Sequence, residues 1–115
     1  MQPTQHPGEQ LYCELWRSLA SLLRSYTAAH GLSVSRQAAV EFDQEKISVR
    51  YGRKWLRLER SNAIVTSTRE NEVREEFELT EHGRLRGKTG EEELDLAAEL
   101  WARELMQEQT QELTR

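Results

Sequence analysis

The 115-residue chain is predicted to fold as a two-layer α+β domain. Its elements are an N-terminal helix, an antiparallel meander of about five strands and a C-terminal helix. Apolar residues recur every three or four positions near both ends of the chain and every second position in the middle, which are the periods of helices and strands. Because helices and sheets each bury one face, both helices are expected on one sheet face, with the other face in water.

The first helix is predicted from Glu9 to His30. Gly31 is placed to end it, since glycine readily adopts the left-handed conformation found after helices. Residues 1–8 contain two prolines and a glycine and are predicted to form a flexible tail. The apolar stripe of this helix comprises Tyr12, Leu15, Trp16, Leu19, Leu22, Leu23 and Tyr26.

A β-hairpin is predicted around Gly52-Arg53, a two-residue turn with glycine first, as type II′ turns prefer. This turn makes Tyr51 and Lys54 opposite each other, and that pair determines every other residue pair of the two strands. The apolar residues of the two strands then fall on one face, so the turn and the hydrophobic pattern agree. The pairs that test this register are Val49 with Leu56 and Ile47 with Leu58.

Three further strands are predicted at 38–42, 63–68 and 73–80, and their pairing after residue 60 has two alternatives. A two-residue turn at Ser61-Asn62 places Val65 inside. A four-residue turn at 69–72 instead places Ile64 inside, opposite Phe77. Because the two registers disagree, a bulge or a longer loop is expected in one of them.

The last helix is predicted from about Gly90 to Gln107, within a single domain spanning residues 9–108 and before a frayed tail at 109–115. Residues 83–90 read GRLRGKTG and invite comparison with a nucleotide-binding loop. Only three residues separate Gly83 from Gly87, where that motif needs four and a following βαβ unit. We instead interpret Thr89 with Glu92 as a capping box that starts the helix. The predicted buried stripe of the helix is Leu94, Ala97, Ala98, Trp101 and Leu105.

Composition narrows the class of function. A net charge of −4 gives no general attraction to nucleic acid or to anionic membranes, and no segment approaches the length of an apolar membrane span. Cys13 is the only cysteine, which favours a reducing compartment and hence a cytoplasmic location. The glutamates and histidines show no metal-ligand spacing, and we predict neither a metal site nor a cofactor.

The most distinctive local feature is basic. Residues 46–60 carry six lysines and arginines against one glutamate, and the hairpin register places arginine beside tryptophan on the face away from the core. Such a surface suits an acidic segment of a protein partner or the phosphates and bases of single-stranded nucleic acid. A third interpretation is an ordinary solvated face on which Arg50 covers Trp55. The predicted partner surface consists of Arg50, Arg53, Lys54, Trp55 and Arg57.

No catalytic constellation is recognisable, so the first hypothesis is a non-enzymatic domain that acts through a protein interface, with a homodimer among the options. The separation of a basic hairpin from acidic terminal elements favours such an interface. Weak binding of single-stranded nucleic acid by residues 46–60 is the alternative. An enzyme or small-ligand binder whose site the sequence does not display is the third hypothesis, and a pocket of convergent polar groups would favour it.

The order helix, antiparallel sheet, helix resembles the topology of the frataxin family. That family carries an acidic ridge on its first helix, whereas here Glu9 and Glu14 stand beside Arg17 and Arg24. The resemblance therefore implies a fold and transfers no iron-binding residue to this chain.

Overall fold

A computed structural model describes residues 7–31 and 38–107. Residues 1–6 of the predicted N-terminal tail and all of the predicted 109–115 tail lie outside the described residues, while Pro7 and Gly8, predicted as tail, begin the first helix. The elements in chain order are α1 (Pro7–Gly31), β1 (Ala39–Phe42), β2 (Lys46–Tyr51), β3 (Lys54–Ser61), β4 (Ile64–Arg69), β5 (Arg74–Leu79), β6 (Arg84–Gly87), β7 (Gly90–Glu93) and α2 (Leu94–Met106).

The described strands form one antiparallel sheet in chain order, so each strand pairs with the next. The α+β class and the meander are confirmed, but the sheet has seven strands where about five were expected. The additional strands, β6 and β7, are four residues long, and Leu85 is their only buried side chain. Such short strands show no alternating apolar pattern from which a sequence reading would detect them.

The β2–β3 register is confirmed, with Tyr51 opposite Lys54, Val49 opposite Leu56 and Ile47 opposite Leu58. Gly52 has a φ of +64° at the first turn position, where a residue with a Cβ would be strained. The apolar members of these pairs are buried, so the neighbouring positions on both strands face away from the core.

Of the two alternatives after residue 60, the one that buries Val65 is correct. The turn lies at Asn62-Ala63, one residue later than expected, because Ser61 pairs with Ile64. Ile64 consequently faces water and is 40% exposed. A longer loop follows β4: the Arg69 amide donates to the carbonyl oxygen of Val73 at 3.2 Å.

Both helices pack on the same sheet face, and their predicted stripes are buried or half-buried in the core. The Trp16 indole N–H donates to the carbonyl oxygen of Asp43 at 2.9 Å, which ties α1 to the loop between β1 and β2. The Tyr26 hydroxyl donates to the Asp95 carboxylate, which joins α1 to α2 and raises the pKa of the tyrosine. The fully buried large side chains are Trp16, Leu19, Leu23, Ile47, Val49, Leu58, Val65 and Leu79.

The helix α2 begins later than predicted. Its first residue is Leu94 rather than Gly90, and Glu93 occupies the capping position without a side-chain capping hydrogen bond. The capping box assigned to Thr89 and Glu92 is therefore wrong. These two residues lie in the β6–β7 hairpin, where β7 pairing satisfies the backbone that a helix would otherwise have used.

Arg60 occupies an unusual position beneath α1. Its side chain is 4% exposed, and one guanidinium nitrogen, Nη2, lies 3.5 Å from the Glu9 carboxylate. The same nitrogen donates to the Gln44 carbonyl oxygen, while Nη1 donates to that of Asn62. Its guanidinium carbon also lies 5.9 Å from the centre of the Trp16 ring. Arg60 therefore joins α1 to the sheet and adds nothing to the charge of the open face.

Arg60→Ala is expected to lower the free energy of unfolding by about 2–5 kcal/mol, the range for truncating a large buried side chain. The loss comes from the packing of the aliphatic stem and from the hydrogen bonds to two loop carbonyls. Urea denaturation measures it. Arg50→Ala is the control because Arg50 is exposed, and it should change stability by less than about 0.5 kcal/mol. Equal effects of the two substitutions would contradict the placement of Arg60.

Candidate partner-binding surface

The open sheet face carries a basic patch, which we define as Arg50, Trp55, Arg57 and Arg74. Arg50 stands opposite Trp55 across β2 and β3. Arg57 lies two residues further along β3, and side chains two residues apart on one strand share a face. Because Leu56 and Leu58 on either side of Arg57 are buried, these side chains point away from the helices.

Arg57, rather than Arg50, covers the tryptophan. The guanidinium carbon of Arg57 lies 5.1 Å from the centre of the Trp55 ring, so the expectation that Arg50 fills this role is wrong. Residues i and i+2 of a strand are about 7 Å apart, a distance that a long arginine side chain spans along an indole. Arg50 is left exposed beside this stack.

Two other residues of the predicted surface behave differently. Arg53 is exposed in the hairpin turn. Lys54 faces the helices: its ammonium group donates to the carbonyl oxygen of Glu104 at 3.0 Å, in the last turn of α2, where a cation is favourable. The prediction that Lys54 belongs to the partner surface is therefore wrong. Lys54 pairs with the core-facing Tyr51, and paired residues lie on the same face of a sheet.

Sequence reasoning missed Thr68 and Arg74, which reach this surface from β4 and β5. Arg57 is opposite Thr68 in the β3–β4 pair, and Thr68 is opposite Arg74 in the β4–β5 pair. Ser48 is opposite Arg57 on the other side. These residues form one cross-strand line, which we call the arginine row: Ser48, Arg57, Thr68 and Arg74.

The two halves of the open face differ in how their charges are balanced. Arg50, Arg57 and Arg74 form no salt bridge with any carboxylate of the described residues. In the other half, Arg86 lies 3.1 Å from Glu78 and 3.0 Å from Glu91. The hydrogen bond from Arg86 holds the pKa of the Glu91 carboxyl below its usual range. The arginines of the basic patch are therefore unpaired with carboxylates of the described residues, whereas Arg86 in the far half is paired.

The patch is nevertheless local. In the next row along the same face, Glu59 is opposite Lys46 on one side and Thr66 on the other. Thr66 is in turn opposite Glu76 on β5. The carboxylates of this row limit the positive region to the end of the sheet near the β2–β3 turn. A ligand that fits it has few negative groups, closely spaced.

The Gly-Lys-Thr segment is a hairpin turn. Gly87 pairs with Gly90, with Lys88 and Thr89 between them, and the next helix begins four residues after Gly90. A phosphate-binding loop requires its lysine and threonine at the start of a helix, so that backbone amides surround the phosphates. This turn therefore lacks the geometry for a nucleotide.

Thr89→Ala and Lys88→Ala are each expected to change the free energy of unfolding by less than about 0.5 kcal/mol, since both side chains are exposed and neither caps a helix. Thermal denaturation tests this expectation. A loss above about 1 kcal/mol in Thr89→Ala alone would restore the capping interaction that the structure lacks.

A groove of about 290 Å³ opens on the helix side of the sheet, between α2 and strands β5 to β7. Apolar side chains line its floor, and Phe77 packs edge-on against Trp101 with ring centres 5.8 Å apart. Gly87 lies close to this pair: a Cβ at this position would lie 3.0 Å from the Phe77 ring, so a larger residue would require the ring to shift. On the polar rim, Arg69 is bound by Glu75 and Glu104 at 3.5 and 3.3 Å, so its charge is already neutralised within the chain.

No family model, curated protein sequence or solved structure matches the chain. Within residues 7–31 and 38–107, no helix is long and apolar enough to cross a bilayer. Over the same residues, no group of three or more His, Cys, Asp or Glu side chains is arranged to hold a metal ion.

Proposed function

We propose that the protein acts by binding rather than by catalysis, and that its basic patch receives an acidic segment of a protein partner. The observation that carries this proposal is the imbalance across one sheet face: the arginines of one half are paired with glutamates, and those of the other half are not. Arginine and tryptophan are the side chains most often found to dominate binding at protein interfaces.

Each part of the patch has a role in this proposal. Trp55 is half-buried and supplies a rigid apolar surface, and Arg57 over its ring is held in place before a partner arrives. Preorganisation of this kind reduces the entropy lost on binding. Arg50 and Arg74 are exposed on either side and add the positive potential that steers an acidic segment to the surface.

A protein partner fits the patch better than nucleic acid. A single strand of nucleic acid carries a phosphate at every nucleotide, and a protein that binds it needs a cationic groove that follows the backbone. Here the positive region is bounded by Glu59 and Glu76 one row away, by Glu41 opposite Ser48, and by Glu70, whose carboxylate accepts from the Trp55 amide at 3.2 Å. A peptide of about five residues with closely spaced carboxylates matches the extent of the patch, and nucleic-acid binding becomes an outcome that the experiment distinguishes.

The test is a fluorescence anisotropy titration with a labelled peptide, Glu-Glu-Phe-Glu-Glu, and its neutral counterpart, Gln-Gln-Phe-Gln-Gln. The acidic peptide should bind and the neutral one should not. Arg57→Ala should weaken binding about tenfold or more, a typical cost of losing a charged hydrogen-bond donor. Trp55→Ala should do the same by removing the apolar surface.

Arg86→Ala is the matched control, because it makes the same change on the same face at an arginine that is already paired. It should leave the affinity within about twofold of the unaltered protein. Equal losses in Arg57→Ala and Arg86→Ala would show that only overall charge matters. If the protein instead binds a labelled oligothymidylate tightly and with a steep salt dependence, and does not bind the acidic peptide, the partner is nucleic acid and the proposal of a protein partner is wrong.

A second copy of this chain is one source of the acidic segment. Strand β7 forms the sheet edge opposite β1, and its four residues, Gly90 and three glutamates, are all exposed. Glu91 and Glu93 would exchange their pairing with Arg84 and Arg86 for pairing with the basic patch of the other copy. Isologous contacts, in which each copy supplies both surfaces, close into a two-fold dimer. We therefore include a homodimer in the proposal, together with a cytoplasmic location, which the single cysteine of the sequence favours.

We expect light scattering after size-exclusion chromatography to show a dimer at low salt that dissociates at high salt, because the attraction is between exposed charges and is screened. Arg57→Glu should abolish the dimer at low salt, and Arg17→Glu, which makes the same change at an exposed position of α1, should leave it intact. A monomer at low salt over the whole concentration range would exclude the homodimer and leave an acidic segment of another protein as the partner.

A further inference from the structure

Two buried side-chain atoms of the arginine row have no hydrogen-bond partner within the described residues. Arg57 Nε and Thr68 Oγ1 each expose less than 1 Å² and have no hydrogen-bond partner in the described part of the chain. Thr68 is 9% exposed, although it lies on the face that the helices do not cover. Buried polar groups in native proteins are almost always hydrogen-bonded. Arg60 Nε and Ser67 Oγ are also buried without a partner among the described residues, but Arg57 and Thr68 differ from them in lying on the open face, directly opposite each other.

The register makes these two atoms neighbours. Arg57 and Thr68 are directly opposite each other, and the side chains of opposite residues on one sheet face have Cβ atoms about 5 Å apart. Arg74, opposite Thr68 on its other side, is a third donor and the second cation, and it forms no salt bridge with the described residues. Two arginines therefore flank the threonine in the register, and of these three side chains only the Thr68 hydroxyl oxygen can accept a hydrogen bond, so the positive charge of the row has no negative counterpart within it.

We propose that this point is a carboxylate-binding subsite, at which the arginine row receives one Asp or Glu side chain of the acidic segment. This inference rests on the function proposed above and assigns the residues that recognise the partner's charge. The Thr68 hydroxyl donates to one carboxylate oxygen, the Arg57 guanidinium donates through its Nε edge, and Arg74 completes the positive environment.

The stacking of Arg57 on Trp55 is compatible with this role. A guanidinium whose face covers an aromatic ring directs its N–H groups sideways, in its own plane, and that edge binds a carboxylate through two parallel hydrogen bonds. Both atoms are covered in the free protein, so the Arg57 side chain must move along the Trp55 ring to expose them, and its contact with that ring limits the motion to a small one. The partner's carboxylate then supplies the acceptor that both donors lack.

The charge of the surrounding rows favours a carboxylate over a chain of phosphates. One row away, Thr66 lies between Glu59 and Glu76, and beyond it Glu78 is opposite Ile64. A ligand that continues past the subsite as a polyanion meets these glutamates and is repelled. A short acidic segment that places one carboxylate in the subsite and ends within the basic patch avoids them.

The test substitutes one hydroxyl. Thr68→Val keeps the shape and β-branching of threonine and removes the donor, so it should weaken binding of the Glu-Glu-Phe-Glu-Glu probe about tenfold. In the free protein it should leave the urea midpoint unchanged or raise it, because an unpartnered buried hydroxyl is removed. Lower affinity together with equal or higher stability is a combination that a merely structural threonine does not produce.

Thr66→Val is the control, since it makes the same change on the same strand and face between two glutamates. It should keep the affinity within about twofold of the unaltered protein. Thr68→Ser retains the hydroxyl and should retain most of the binding. Thr68→Ser as weak as Thr68→Val, or Thr68→Val as tight as the unaltered protein, would overturn the subsite.

The outcomes also separate this inference from the proposed function. If the probe binds and Trp55→Ala weakens it while Thr68→Val does not, the patch is a binding surface but the subsite is wrong. If the unaltered protein does not bind the probe, both fail. If Thr68→Val lowers stability and leaves affinity unchanged, a buried water is the acceptor, and the inference is overturned.

Discussion

The structure depends on the register of the β2–β3 hairpin. The turn at Gly52-Arg53 fixes which residues of both strands face the helices, and every later strand is added to that arrangement. A shift of one residue would exchange the two faces: Leu56 and Leu58 would move into water, and Trp55 and Arg57 would move under the helices. The glycine with φ of +64° and the burial of the leucines favour the same register, so local and global preferences agree.

The parts of the fold that the sequence predicts are those where two independent signals coincide. The hairpin has both turn chemistry and alternation, and each helix has a stripe of apolar residues that packs on the sheet. Where only one signal exists, prediction fails. Thr89 and Glu92 have the spacing of a capping box, but the backbone around them is already satisfied by pairing in the β6–β7 hairpin, so α2 starts at Leu94.

The candidate surface was half predictable for a related reason. Arg50, Trp55 and Arg57 follow from the hairpin register, which the sequence determines, whereas Thr68 and Arg74 require the pairing of β3, β4 and β5. That pairing was ambiguous because the Asn62-Ala63 turn has no glycine to mark its position, although Asn62 tolerates the positive φ it adopts. The face of Thr68 follows from its neighbours on β4. Val65 and Ser67 are buried on the helix side, and because side chains alternate along a strand, Thr68 faces the opposite side.

The two sides of the sheet have different roles: the helix side stabilises the fold, and the open side is the proposed binding surface. On the helix side, the buried or half-buried arginines have carboxylate partners: Arg60 is held by Glu9 and two carbonyl oxygens, and Arg69 by Glu75 and Glu104, although Arg60 Nε itself has no acceptor within the described residues. On the open side, the basic patch keeps donors that the chain itself does not satisfy. Leaving such groups without acceptors reduces stability, and proteins retain costs of this kind mainly at functional sites.

The central claim is that the open face around the arginine row is where the protein meets its partner. Amide chemical-shift mapping by NMR during addition of the Glu-Glu-Phe-Glu-Glu peptide tests it most directly, because every strand reports separately. The account predicts that the largest shifts fall on the amides of Ser48, Arg57, Thr68 and Arg74, with little change at Arg84 and Arg86. Shifts concentrated on Gly87 and Leu100, in the groove beside α2, would contradict it.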